Sequence, residues 1–175
     1  HAFSPLEIDH GRKTLNISVK EFLVELKKAG LNSLPGTAAE ILHDEIRAII
    51  CPDKLTSKQW INIIETAHSV GLPTTSTMMF GHVERNSHVA HHLLKLLNLQ
   101  QKTNGITEFV PLPFVADEAP IFRRGQARPG PTFKETILVH SVARILFQGQ
   151  INNIQGSWVK MGLAGLKFLL TSGIN

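Results

Sequence analysis

The chain contains one cysteine and no tyrosine in 175 residues. A lone thiol, Cys51, excludes an internal disulfide framework and fits a reducing compartment. Apolar runs all stop short of the ~18 residues that suggest a membrane span. No G-x-x-x-x-G-K-[ST] loop occurs and no G-x-G-x-x-G opens a helix, so phosphate-cradling NTPase and Rossmann readings lose their main support. H-E-x-x-H is absent too. Basic stripes are also missing. The net charge is +4, but the densest spots are the pairs Lys27-Lys28 and Arg123-Arg124. A face that tracks phosphates needs clustering, so neither nucleic acid nor a membrane is an expected partner. No linker or repeat divides the chain, and its length suits a single domain over residues 1–175. No Met opens it. It starts mid-pattern at His1-Ala2-Phe3-Ser4-Pro5 and stops at Ser172-Gly173-Ile174-Asn175. An internal fragment is expected.

What is present is a globular composition, 42% hydrophobic and 18% charged. Strands alternate with helices, the pattern of an α/β domain. Capping boxes of the form S/T-x-x-E/Q begin at Ser18, Thr37, Thr56 and Thr132 and predict helix starts. Asn86 or Ser87 caps a fifth helix, and a last one follows Ser157. Apolar stripes support these helices: Val19, Phe22, Leu23 and Leu26; Trp60, Ile63, Ile64 and Ala67; Val89, Leu93, Leu96 and Leu97. Leu138, Val142, Ile145 and Leu146 form another, and Val159, Leu163, Leu166 and Leu170 a weaker one. Gly30, Gly71, Gly105, Gly149 and Gly173 read as left-handed stops. Strands are expected at Leu31–Leu34, Thr74–Met79, Thr107–Leu112 and Ile151–Gln155, with His1–Phe3 ending one and Ile174 beginning another.

Chemistry gathers at the C-terminal ends of parallel strands, and there the polar residues collect. The ends carry His1, Ser4 and Glu7; Glu40; His82 and Glu84; and Gln155, Ser157 and Trp158. Plain structural readings stand beside these. Glu40 completes a capping box, and Arg47 shares its helix face, as an ion pair or as a site for a substrate carboxylate. His82-x-Glu84 has the form used by zinc deaminases without their P-C-x-x-C. His88, His91 and His92 read as solvated surface histidines beside a Leu-rich core. Cys51 reads as a half-buried structural thiol. The Pro-, Gly- and Arg-rich segment from Val115 to Pro131 has the length of a lid or a disordered loop.

Three strings carry a resemblance: Ala29-Gly30-Leu31-Asn32-Ser33-Leu34-Pro35-Gly36-Thr37-Ala38-Ala39-Glu40-Ile41-Leu42, Thr77-Met78-Met79-Phe80-Gly81-His82-Val83-Glu84, and Asn153-Ile154-Gln155-Gly156-Ser157-Trp158-Val159-Lys160-Met161-Gly162. They resemble the radical S-adenosylmethionine enzymes of deazaflavin and menaquinone biosynthesis. Ser33-Leu34-Pro35-Gly36, the run from Thr107 to Phe114, and Ala127-Arg128-Pro129-Gly130-Pro131-Thr132 look most like the tyrosine-using subunit of FO synthase. The resemblance implies a partial (βα) TIM-type barrel of the radical SAM superfamily, lacking its first strands and its last one. It implies a cytoplasmic transferase with a [4Fe-4S] cluster and S-adenosyl-L-methionine as cofactors. Its substrates would be L-tyrosine and 5-amino-6-(D-ribitylamino)uracil, and its functional partner the ring-closing FO synthase subunit. The family's C-x-x-x-C-x-x-C motif is absent from these 175 residues, so no metal ligand is expected here and the chain alone should be inactive. By the same resemblance Glu40 and Arg47 would meet the ribose or carboxylate of S-adenosylmethionine. His82 and Glu84 would handle protons. His1, Ser4, Glu7, Gln155, Ser157 and Trp158 would bind substrate. The alternatives are a futalosine-pathway radical enzyme of menaquinone synthesis and a non-catalytic remnant.

Overall fold

A computed structural model describes all 175 residues. Its elements, in chain order, are α1 (Pro5–Thr14), α2 (Val19–Lys28), α3 (Asp44–Ile50), α4 (Ser57–Ser69), β1 (Thr74–Phe80), α5 (Asn86–Thr103), β2 (Ile106–Pro113), α6 (Pro120–Arg123), α7 (Phe133–Leu146), β3 (Asn153–Ile154) and α8 (Trp158–Leu170). The sheet runs β1-β2-β3 and is parallel throughout, with Ser76 opposite Phe109 and Phe80 opposite Pro113. Parallel neighbours require crossovers, which α5, α6 and α7 supply.

The hydrogen bonding continues past both flanks of this sheet. Leu34 bridges Thr74 in parallel, and Met79 N donates to Glu40 O at 2.7 Å, so residues 34–40 track β1 as irregular backbone. Beyond them Ala2 N donates to Ser33 O, and on the far side Asn175 N donates to Ile154 O. The spatial order thus follows the order in sequence. Gly36 makes the close approach possible. A Cβ there would lie 2.0 Å from the Thr75 carbonyl oxygen.

Alternation along the strands separates two faces. Met78, Phe80 and Phe109 point into the core, where Phe109 meets Phe147 edge-on at a centroid distance of 5.2 Å. Trp60, Ile63, Ile64 and Ala67 of α4 are all buried there, as the stripe predicts. On the other face Thr75, Met79, Glu108, Val110 and Leu112 remain partly exposed.

Several expectations need correction. The box at Thr37–Glu40 starts no helix: Ala38 and Glu40 take positive φ values of 58° and 46°, and α3 begins only at Asp44. Ser4 and Glu7 form a true capping box instead, opening a helix where the sequence suggested a strand end. In α7 the buried residues are Thr136, His140 and Ala143, while Leu138, Val142 and Ile145 are exposed. In α8 Val159, Leu163 and Leu170 face outward, and Gly165 and Leu169 inward. Asn104, not Gly105, takes the left-handed stop after α5. Gly105 is needed for space, since a Cβ there would come within 2.3 Å of the His68 ring. His92 is fully buried rather than solvated.

Candidate active site at the strand ends

The β1 strand ends at Phe80, and the turn that follows is organised by one carboxylate. Glu84 Oε1 accepts from Gly81 N at 2.6 Å and Oε2 accepts from His82 N at 2.9 Å. Burial acts to raise the Glu84 pKa. The adjacent His82 ring and these backbone amides outweigh it and hold the carboxyl below its ordinary range. The carboxylate is therefore a fixed negative charge inside the turn.

His82 is 1% exposed. Its Nδ1 lies 2.8 Å from Val83 N and 3.1 Å from Glu84 Oε2, and Nε2 lies 3.1 Å from Met79 O. With Nδ1 accepting from Val83 N–H, Nε2 carries the proton and donates to Met79. Burial pushes the His82 pKa down, against the pull of Glu84, so the ring is neutral at pH 7. A proton taken up at Nδ1 would be received by Glu84. The pair can hold or release one proton, but its side chains have no more than 2% exposure. Phe114 covers the His82 ring edge-on at a centroid distance of 6.0 Å.

A second group of side chains flanks this turn. Glu40 pairs with Lys54 at 2.5 Å. Lys160, at the start of α8, donates to Pro113 O at 2.8 Å, at the end of β2. Desolvation lowers its amine pKa, and the Glu40 carboxylate opposes that shift. Gln155 Nε2 donates to Glu108 Oε2 at 2.9 Å on the partly exposed sheet face. Ser157 precedes α8 with its hydroxyl not used in the cap, and Trp158 is 64% exposed.

Other expected site residues are occupied elsewhere. Arg47 is buried, and its guanidinium donates to backbone carbonyls: Leu55 at 2.7 Å, Ala39, Ile41 at 3.4 Å and Ala38 at 3.3 Å. It staples the left-handed turn that carries Glu40. The Ser4 hydroxyl and the Glu7 carboxylate are bonded to each other at 2.7 Å. His1 Nδ1 contacts Ser33 Oγ at 2.8 Å, one position beyond the flank of β1. Sequence reading missed Arg128, which reaches Glu84 across 44 positions, and Lys160. The Arg-Pro-Gly-Pro context of Arg128 gave no sign of its partner.

The [4Fe-4S] cluster that the resemblance implies does not fit these residues. Cys51 is the sole thiol, and burial raises its pKa. No three His, Cys, Asp or Glu side chains converge where a metal ion could sit. No helix is long and apolar enough to cross a membrane.

No protein-family model matches the chain. It is 50% identical over all 175 residues to the 5-amino-6-(D-ribitylamino)uracil--L-tyrosine 4-hydroxyphenyl transferases of Methanothermobacter thermautotrophicus and Methanocaldococcus jannaschii, covering 48% and 49% of them. It is 51% identical over the same length to the FO synthase of Nocardia farcinica, of which it covers 20%. In structure it is similar to the archaeal Methanocaldococcus infernus Elp3 with N-terminus deletion, at a TM-score of 0.65 and 16% identity, over 88% of this chain and 33% of that one. That likeness concerns the fold alone. The chain thus spans about half the length of the curated transferases it matches, and over its whole extent it is a homologue of one stretch of the tyrosine 4-hydroxyphenyl transferases and FO synthases.

Proposed function

We propose that this chain is the substrate-side part of a radical S-adenosylmethionine enzyme that joins the 4-hydroxybenzyl unit of L-tyrosine to 5-amino-6-(D-ribitylamino)uracil. The observation that carries this reading is half identity, unbroken over 175 residues, to transferases named for that reaction. The parallel sheet in sequence order, with its flanking segments, supports a partial (βα) barrel whose mouth lies at the strand ends. Because the residues present cannot ligate the cluster, it would have to be held by other polypeptide. The same stretch lies within longer FO synthases. This supports a ring-closing activity, fused or separate, as the consumer of the product.

Within this reading the residues divide the work. Glu40, on its rigid turn, offers a carboxylate to the ribose hydroxyls of S-adenosylmethionine. Arg47 holds that turn and does not itself reach the ligand. The free Ser157 hydroxyl, the exposed Trp158 ring and Gln155 suit the uracil, by hydrogen bonding and stacking. His1 lies at the far flank, toward the tyrosine. Ser4 and Glu7 are withdrawn from direct contact by their capping bonds. The His82–Glu84 pair exchanges a proton with substrate when the turn is uncovered.

Two outcomes test this. Anaerobic reconstitution of the 175-residue chain with iron and sulfide yields no stable [4Fe-4S] cluster, because one thiol cannot provide three ligands. A chimera is then made from the M. thermautotrophicus transferase, with its matching stretch replaced by this chain. It binds the cluster and forms the coupled product. A chimera that is folded and cluster-loaded but makes no product would refute the reading. In that chimera His82→Ala lowers transfer by roughly a hundredfold, the lower end for general acid–base groups, and leaves S-adenosylmethionine cleavage partly intact. Unchanged transfer would remove His82 from the mechanism.

A further inference from the structure

Hydrogen bonds tie the segment between β2 and α7 to the rest of the chain at its two ends, while Ala116 is buried and Ile121 and Phe122 half-buried between them. At the first, Phe114 N donates to Phe80 O at 2.8 Å, prolonging the β1–β2 ladder. At the second, Arg128 N donates to His82 O at 3.0 Å. The Arg128 guanidinium forks between Glu84 Oε1 at 3.3 Å and Glu135 Oε1 at 2.6 Å. Between these anchors the hydrogen bonds of residues 116–126 close on the segment itself. Ala119 bonds Ala116, Gln126 bonds Ile121, and Arg123 bonds Asp117 and Glu118. Gly81 lets the second anchor sit flush, since a Cβ there would lie 2.2 Å from the Pro131 ring.

We propose that Arg128 is a positioning residue, a latch that holds the 114–131 segment over the His82–Glu84 pair and must release before that pair can meet substrate. The geometry suits a reversible closure. Glu84 is buried with its carboxyl held below the ordinary range, and its contact with Arg128 is the longer arm of the fork, at 3.3 Å. Arg128 keeps 38% of its side chain exposed, so water can replace the contact. Glu135 is fixed in turn by the Thr132 capping box at the start of α7. The latch therefore joins the β1 end, the segment and α7 through one guanidinium, whose planar fork serves two carboxylates at once. What the latch admits rests on the transferase reading above. The latch itself does not.

Trypsin provides the test on the 175-residue chain. Its sites inside the segment follow Arg123 and Arg124, because the bond after Arg128 is protected by Pro129. Both sites already lie at the surface, but Arg123 ends α6 and Arg124 caps it, and a protease needs extended backbone. Releasing the segment lets this turn unravel, so Arg128→Ala speeds their cleavage roughly tenfold, in keeping with local opening controlled by charge-assisted bonds. Arg128→Lys, which keeps the charge but not the fork, restores part of the protection. Glu84→Gln loosens the segment like Arg128→Ala, and the double variant is cleaved no faster than the faster single one. Three results would each overturn the latch: wild-type cleavage in Arg128→Ala, single effects that multiply in the double variant, or equal acceleration at bonds outside the segment, which would signal global unfolding. The assay needs no turnover, so an inactive chimera would count against the transferase reading and leave this result standing.

Discussion

Lowering the pH from 7 to 5 removes about 3–4 kcal/mol from the unfolding free energy of this chain. Two histidines carry most of that loss. His92 lies fully buried against Phe109, and its Nδ1 accepts from Leu42 N at 2.9 Å, an arrangement only the neutral ring permits. Burial drives its pKa down to about 3. His68 bridges α4 to the sheet, with Nδ1 2.7 Å from Thr103 Oγ1 and Nε2 3.0 Å from Thr74 Oγ1. The Thr103 hydroxyl donates to Leu99 O, so it accepts from Nδ1–H, leaving Nε2 to accept from Thr74. Burial pushes this pKa to about 4, against the pull of Glu65. Both folded values lie below the unfolded value near 6.5. The unfolded chain therefore binds more protons as pH falls below 6.5, and stability drops until the folded values are reached. At pH 5 each group contributes about 2 kcal/mol of the loss, at 1.36 kcal/mol per pKa unit. His82 and His140 are shifted in the same direction, chiefly by burial, and steepen the slope. Urea unfolding between pH 7 and pH 5 reads it directly. His92→Gln removes roughly half of the dependence, and a flat profile in the wild-type chain would contradict the buried neutral rings.

Arg47→Ala destabilises the chain by about 3 kcal/mol, with the loss set by orphaned backbone rather than by a missing ligand contact. Arg47 is 3% exposed, and its removal leaves the carbonyls of Ala38, Ala39, Ile41 and Leu55 facing a cavity. Arg47→Lys recovers little, because one ammonium cannot reach the four carbonyls spread around the rim of the planar guanidinium. Were Arg47 mainly a partner of a substrate carboxylate, Ala would leave the unfolding midpoint of the isolated chain nearly unchanged. Chemical denaturation of the three proteins separates these cases.

The sequence reveals features set by neighbours close along the chain. The Ser18, Thr56 and Thr132 capping boxes close over three residues, and each opens its helix as expected. The Trp60 stripe is legible because α4 lies directly on the sheet. Failures arise where distant partners decide. Thr37–Glu40 has the residues of a capping box, but Arg47 and the Met79 amide capture its carbonyls and hold a left-handed turn instead. In α7 the more apolar stripe points outward. His140 is accommodated inside by donating its Nδ1–H to Thr136 O at 2.7 Å, which hides a polar residue from a hydrophobicity count. The site follows the same division. His82 and Glu84 are two residues apart, and their turn brings them together. Arg128 and Lys160 reach the mouth only through tertiary packing.

Isotope transfer tests the substrate-side role of this chain in the chimera that places it in the M. thermautotrophicus transferase. Supplied with ring-labelled tyrosine, 5-amino-6-(D-ribitylamino)uracil, S-adenosylmethionine and a reductant, it should yield an aminouracil product that carries the labelled ring, detected by mass spectrometry. A folded, cluster-loaded chimera that cleaves S-adenosylmethionine but leaves the label in tyrosine would show that this chain does not provide the substrate side of the transfer.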